Sequence, residues 1–205
     1  MTLPEFHQPA ADNPNSARIS IAWRTLVLVY FLVAAVGHLL DPDKWSLISG
    51  IILGTHELGH VVFAPFPEVW TVAGGTILQL LAPIIVAVIL YRQKEPIGVA
   101  MAGCWLAISL AGVAVYMADA SKGELQLVSI GGGDDAMHDW TYLFDHFDLI
   151  RSDQLIASRT RGIGWVVLGL SFFYGFWYCL KGLTSPPVSG QPIEGSNEEL
   201  SLIHI

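Results

Sequence analysis

The sequence predicts an all-α protein: a polytopic transmembrane helix bundle of about five helices, with one long loop carrying an amphipathic helix. Three observations lead there. Of the 205 residues, 53% are hydrophobic and only 14% charged, with a mean hydropathy of +0.52; a soluble domain carries roughly a quarter of charged residues. Five apolar stretches come close to the roughly 20 residues that cross a hydrocarbon core. All but one of the connections between them are short.

The first stretch covers 21–40 and is interrupted only by Arg24. The second, 45–66, lies in an expected helix over 44–66. The third, 73–91, stops at Arg92-Gln93-Lys94-Glu95. The fourth, 96–117, stops at Asp119, and the fifth, 162–180, stops at Lys181. Short links imply that consecutive helices run antiparallel. The long loop, 118–161, holds Gly131-Gly132-Gly133, Asp134, Asp135 and His138-Asp139-Trp140. Beyond it, Trp140, Leu143, Phe144, Phe147, Leu149 and Ile150 are spaced for a helix of roughly four turns lying on the membrane or on the bundle. Three regions follow: a polar N-terminal tail (1–20), a membrane domain (21–183), and a C-terminal tail (184–205) whose Pro, Gly, Ser and Glu content predicts mobility.

The opening residues do not read as a cleaved signal peptide, because Pro4, Pro9 and Pro14 precede an apolar run too long for an h-region. Cys104 and Cys179 fall in apolar runs and are expected as reduced thiols. The net charge of −8 and the absence of a basic run exclude a nucleic-acid partner. With five crossings, Arg18, Arg24, Lys122, Arg151, Arg159 and Arg161 face Lys44, Arg92, Lys94 and Lys181 across the membrane. That balance favours an inside N-terminus and an outside C-terminus. Short loops and few cysteines point to a bacterial inner membrane.

The chemistry concentrates in His56-Glu57-Leu58-Gly59-His60. On a helix, His56 and His60 share one face and can grip one metal ion, while Glu57 can act as general base toward a water on that metal. Zinc brings such a water to a pKa of about 7. A charged residue at mid-membrane costs at least about 2.5–3.5 kcal/mol, and a bound cation offsets that cost. A catalytic zinc takes three protein ligands, so a third is expected. His138 and Asp139 are the favoured candidates, because the glycine run lets the loop fold back. Asp134, Asp135, Asp119 and His38 are the alternatives. Asp139 also suits a second role orienting His138 or an N-cap role. His7, His146 and His204 read as solvated.

Gly50 and Gly54 form a GxxxG pair that would admit another helix. Gly59 removes bulk beside the metal, and Gly74-Gly75 would bend the third helix. Gln79 is a candidate substrate-binding side chain or a helix–helix contact. Phe172, Phe173, Tyr174, Trp177 and Tyr178 read as lipid contacts.

The run His56-Glu57-Leu58-Gly59-His60-Val61-Val62-Phe63-Ala64 within a membrane helix resembles the first motif of the site-2 protease class of intramembrane zinc metalloproteases. Gly74-Gly75-Thr76 with Gln79 and Pro83 is loosely similar to their next region. The resemblance covers about 44–90. It implies zinc held by His56 and His60, with Glu57 as catalytic base. The family's Leu-Asp-Gly and Asn-Pro-x-Pro motifs are not in this sequence, so carry-over stops at those three residues and Asp139 is an analogue by role. The function expected is a membrane-embedded zinc metallopeptidase cutting a peptide bond at or within the bilayer. The alternative is a non-catalytic membrane protein with a structural or regulatory metal site. The partners expected are the lipid bilayer and a membrane-protein or peptide substrate.

Overall fold

The computed structural model describes residues 14–41, 44–125 and 138–184; of 14–21 and 182–184 only the helical backbone is described. Asp134, Asp135, the triglycine, His7 and His204 lie outside the described residues. The chain is all-helical: α1 (Pro14–Leu40), α2 (Leu47–Phe63), α3 (Glu68–Arg92), α4 (Pro96–Ala118), α5 (Asp139–His146) and α6 (Asp153–Thr184). Four segments are long and apolar enough to cross a membrane: Ala22–Leu40, Glu68–Arg92, Pro96–Ala118 and Ile150–Lys181.

The second apolar stretch departs from expectation. α2 is a shorter apolar helix of 17 residues. Local chemistry trims it at both ends. At its start, the Ser46 N–H donates to Ser49 Oγ at 3.0 Å in a capping box, and His38 Nε2 lies 2.9 Å from Ser46 Oγ. At its end, Pro65 and Pro67 offer no N–H to continue a helix, and α3 starts directly after Pro67.

The senses of the helices follow from what meets what. Leu28 and Ala100 both surround Gly175, whereas Leu39, Ala107 and Leu110 surround Gly164. α1 and α4 therefore advance together, and α6 runs against both. Gln79 meets Ser109 while Leu90 lies over Gly98, so α3 is antiparallel to α4. Gly59 abuts Gly74, and His60 meets Thr71, so α2 is antiparallel to α3. Hence α2 shares the sense of α1, contrary to strict alternation. With four crossings, the start of α1 and the end of α6 lie at the same end of the bundle, where Cys179 bonds Thr25 and Arg24 pairs with Glu95 at 2.9 Å. That corrects the expectation of opposite sides. Arg18, Arg24, Arg92, Lys94 and Lys181 now face Lys44, Lys122, Arg151, Arg159 and Arg161, and the count no longer selects an orientation.

α4 is the hub. Cys104, Ala107, Ile108 and Ala111 form a core with Ala34, Ala35, Leu39, Ile48 and Leu168. Small side chains along α4 let its neighbours approach closely. Both cysteines are free.

The amphipathic helix is shorter than expected: α5 has eight residues. Asp148 adopts a left-handed φ of 55° and ends the run, a conformation Asp tolerates better than most residues. A single 3₁₀ turn, Ile150–Ser152, then leads into α6, which starts at Asp153 instead of 162. Phe144 is buried with Val113, Met117, Ala120 and Ala157, so α5 is docked on the bundle.

Candidate metal centre

Four helices build the site: the second half of α2, the first half of α3 from Thr71 to Gln79, the last turn of α4 and the first turn of α5.

His56 Nε2 is 2.9 Å from Asp139 Oδ2, and His60 Nε2 is 3.2 Å from the same oxygen. The two Nε2 atoms are 3.2 Å apart. Among the described residues, these three side chains form a group that could hold a metal ion. His56 and Asp139 are 8% and 7% exposed.

The opposite ring nitrogens fix the tautomers. Gln79 Nε2–H donates to the Ser109 carbonyl at 3.2 Å, which turns Gln79 Oε1 toward His56 Nδ1 at 3.0 Å. His60 Nδ1 lies 2.9 Å from the Thr71 carbonyl. Both oxygens only accept, so both Nδ1 atoms carry the proton in the neutral ring and both Nε2 atoms present lone pairs. Two nitrogen lone pairs and a carboxylate oxygen thus converge. A single proton can bridge one pair of these atoms; a cation can satisfy all three.

Tyr116 Oη accepts the Asp139 N–H at 3.2 Å, and its ring lies 6.1 Å from that of His56. Glu57 is half-buried on the neighbouring face of α2 and makes no hydrogen bond among the described residues. Its charge acts on His60 and Tyr116.

His138 stands apart from the group. Its Nδ1 caps α5 by accepting the Thr141 N–H at 3.2 Å, and its Nε2 is 3.3 Å from Asp119 Oδ2. Asp119 bonds backbone amides, and His38 bonds Ser46; neither joins the group. Gln79 is 6% exposed and bonded to His56 and Ser109, so the structure places it behind a histidine ring.

The glycines have a different use from the expected one. α3 continues through Gly74 and Gly75. A Cβ at Gly59 would collide with the Gly74 carbonyl, and one at Gly75 would lie 2.6 Å from His60 Nε2 and 2.7 Å from His56 Nε2. The α2 and α3 backbones touch, and the Gly75 Cα forms the floor beneath both rings. Around a Cβ at Gly50 or Gly54 nothing among the described residues comes within 4 Å, so no described helix uses that pair. Gly75→Ala is expected to push the rings apart and abolish divalent-metal binding while circular dichroism shows the helix content retained. Normal binding by that variant would show that the rings are not held in this arrangement.

Tyr116 and the orienting role of Gln79 were missed in the sequence. A lone Gln in an apolar helix one step after the metal motif was the available signal; Tyr116 offered none. Comparison with protein-family models, curated proteins and solved structures gave no match.

Proposed function

We propose that this chain is a membrane-embedded zinc metallopeptidase of the bacterial inner membrane, related in its chemistry to the site-2 proteases. The observation that carries the reading is the convergence of two Nε2 lone pairs on a carboxylate oxygen, each histidine being fixed from behind by an oxygen acceptor. That backing by carbonyl oxygens is the usual support of metal-binding histidines. The donor set, two imidazoles and one carboxylate, suits zinc. Ligand atoms about 2.0–2.1 Å from a tetrahedral zinc stand about 3.3 Å apart, close to the separations of 2.9–3.2 Å here. Three ligands leave a position open, which favours catalysis over a closed structural site.

His56, His60 and Asp139 would hold the ion. When bound, zinc supplies Lewis acidity and brings water close to ionisation at neutral pH. Glu57 has the residue type and position for the base. Its carboxylate takes the proton released as water adds to the carbonyl carbon, then gives it to the departing amine nitrogen.

The test is to incubate the reconstituted chain with a library of peptides containing membrane-spanning segments, beside Glu57→Gln and a chelator-treated sample. Cleavage by the native chain alone supports the reading. Cleavage by all three samples would refute it. Zinc bound with no cleavage would move the protein to the non-catalytic class.

A further inference from the structure

We infer that Asp119 is a positioning residue for the metal centre, holding α5 so that Asp139 reaches the two histidines; the inference rests on the metal reading above. The observations come from the end of α4. Asp119 is 6% exposed, yet both of its carboxylate oxygens are engaged. Oδ1 accepts the Glu124 N–H at 2.9 Å, Oδ2 accepts the Leu125 N–H at 3.0 Å, and Oδ2 lies 3.3 Å from His138 Nε2. One carboxylate therefore binds the chain after α4 by two hydrogen bonds and lies in contact with the residue that caps α5. Burial opposes its charge, but the two amides and His138 hold its carboxyl below the usual range.

The neighbouring contacts converge on the same task. His138 caps α5 through Thr141 N–H. Thr141 Oγ1–H donates to the Ala120 carbonyl at 2.6 Å. The Tyr116 ring lies 4.2 Å from that of His138, while its hydroxyl receives the Asp139 N–H. None of these atoms is a ligand atom in the group, and all of them fix the first turn of α5.

The consequence is a coupling. His56 and His60 sit one turn apart on α2 and are aligned without α5. Asp139 is 83 residues from His56, and it joins them only when α5 is docked. Metal binding and α5 docking therefore favour each other, by the same factor in each direction.

The experiment compares native chain, Asp119→Asn and Thr141→Val in detergent, using Zn²⁺ alone as the probe. Zinc affinity is read by chelator competition, and hydrogen exchange is followed in the peptide containing α5. Asp119→Asn keeps the side-chain size and removes the charge and one acceptor. Thr141→Val cuts the tie to Ala120 and carries the same test should Asp119→Asn fail to fold. The expected result is zinc binding weakened about 10- to 100-fold in either variant, the loss typical of groups that support metal ligands. Zinc is expected to slow exchange in α5 of the native chain, and the variants should need proportionately more zinc for the same protection. A merely structural role would change exchange without its dependence on zinc. Native-like zinc affinity in the folded variants would overturn the clasp and leave the metal reading intact. No zinc bound by the native chain would overturn both.

Discussion

Asp139→Asn is expected to abolish high-affinity zinc binding while leaving the metal-free chain as stable as the native one, or more so. The two halves of this result have one cause. Asp139 supplies the only anionic oxygen in the donor group. An amide oxygen is a far weaker zinc ligand, so affinity should fall by more than the roughly 100-fold seen when supporting groups are lost. Without metal the native arrangement sets a carboxylate against two Nε2 lone pairs. It is then relieved only by protonating a ring. Asn offers an NH₂ group that can donate to those same nitrogens. A simple His⁺–Asp⁻ contact holding helices together predicts the reverse, because removing one partner of a buried ion pair costs about 3–5 kcal/mol. Thermal unfolding in detergent with excess chelator separates the two, and clear destabilisation of Asp139→Asn would argue for glue.

Glu57→Gln is expected to lower peptide hydrolysis by about 10²- to 10⁴-fold, the usual worth of a positioned proton acceptor, with zinc content unchanged. Glu57 lies outside the ligand group and makes no hydrogen bond among the described residues. Its loss should therefore remove a proton acceptor without disturbing the ligands or the packing of α2 on α3. Single-turnover cleavage of an excess-enzyme sample, with zinc assayed in parallel, measures both. Retained hydrolysis would remove Glu57 from the mechanism, and loss of zinc would make it a ligand.

Much of this was legible in the sequence. The all-α membrane bundle followed from apolar stretches that no soluble core of this size could bury. The pairing of His56 with His60 followed from helical geometry alone. Asp139 could be named because few polar residues exist to choose from. The choice between Asp139 and His138 was not legible, since they are adjacent and only the docked α5 decides which side chain turns toward α2. The sense of α2 was also hidden: its composition is that of a spanning helix, and only the Ser46 cap and Pro65 shorten it. Gly75 looked like a bend because a glycine's closeness to a neighbour is set by the neighbour, here two histidine rings.

The most direct test of the central claim is elemental analysis of the detergent-purified chain, prepared without chelator, beside the His56→Ala/His60→Ala double variant. About one zinc per chain in the native protein, absent from the variant, is the predicted result. A native chain free of metal would contradict the account and leave His56, His60 and Asp139 as a buried polar cluster joining α2 to α5.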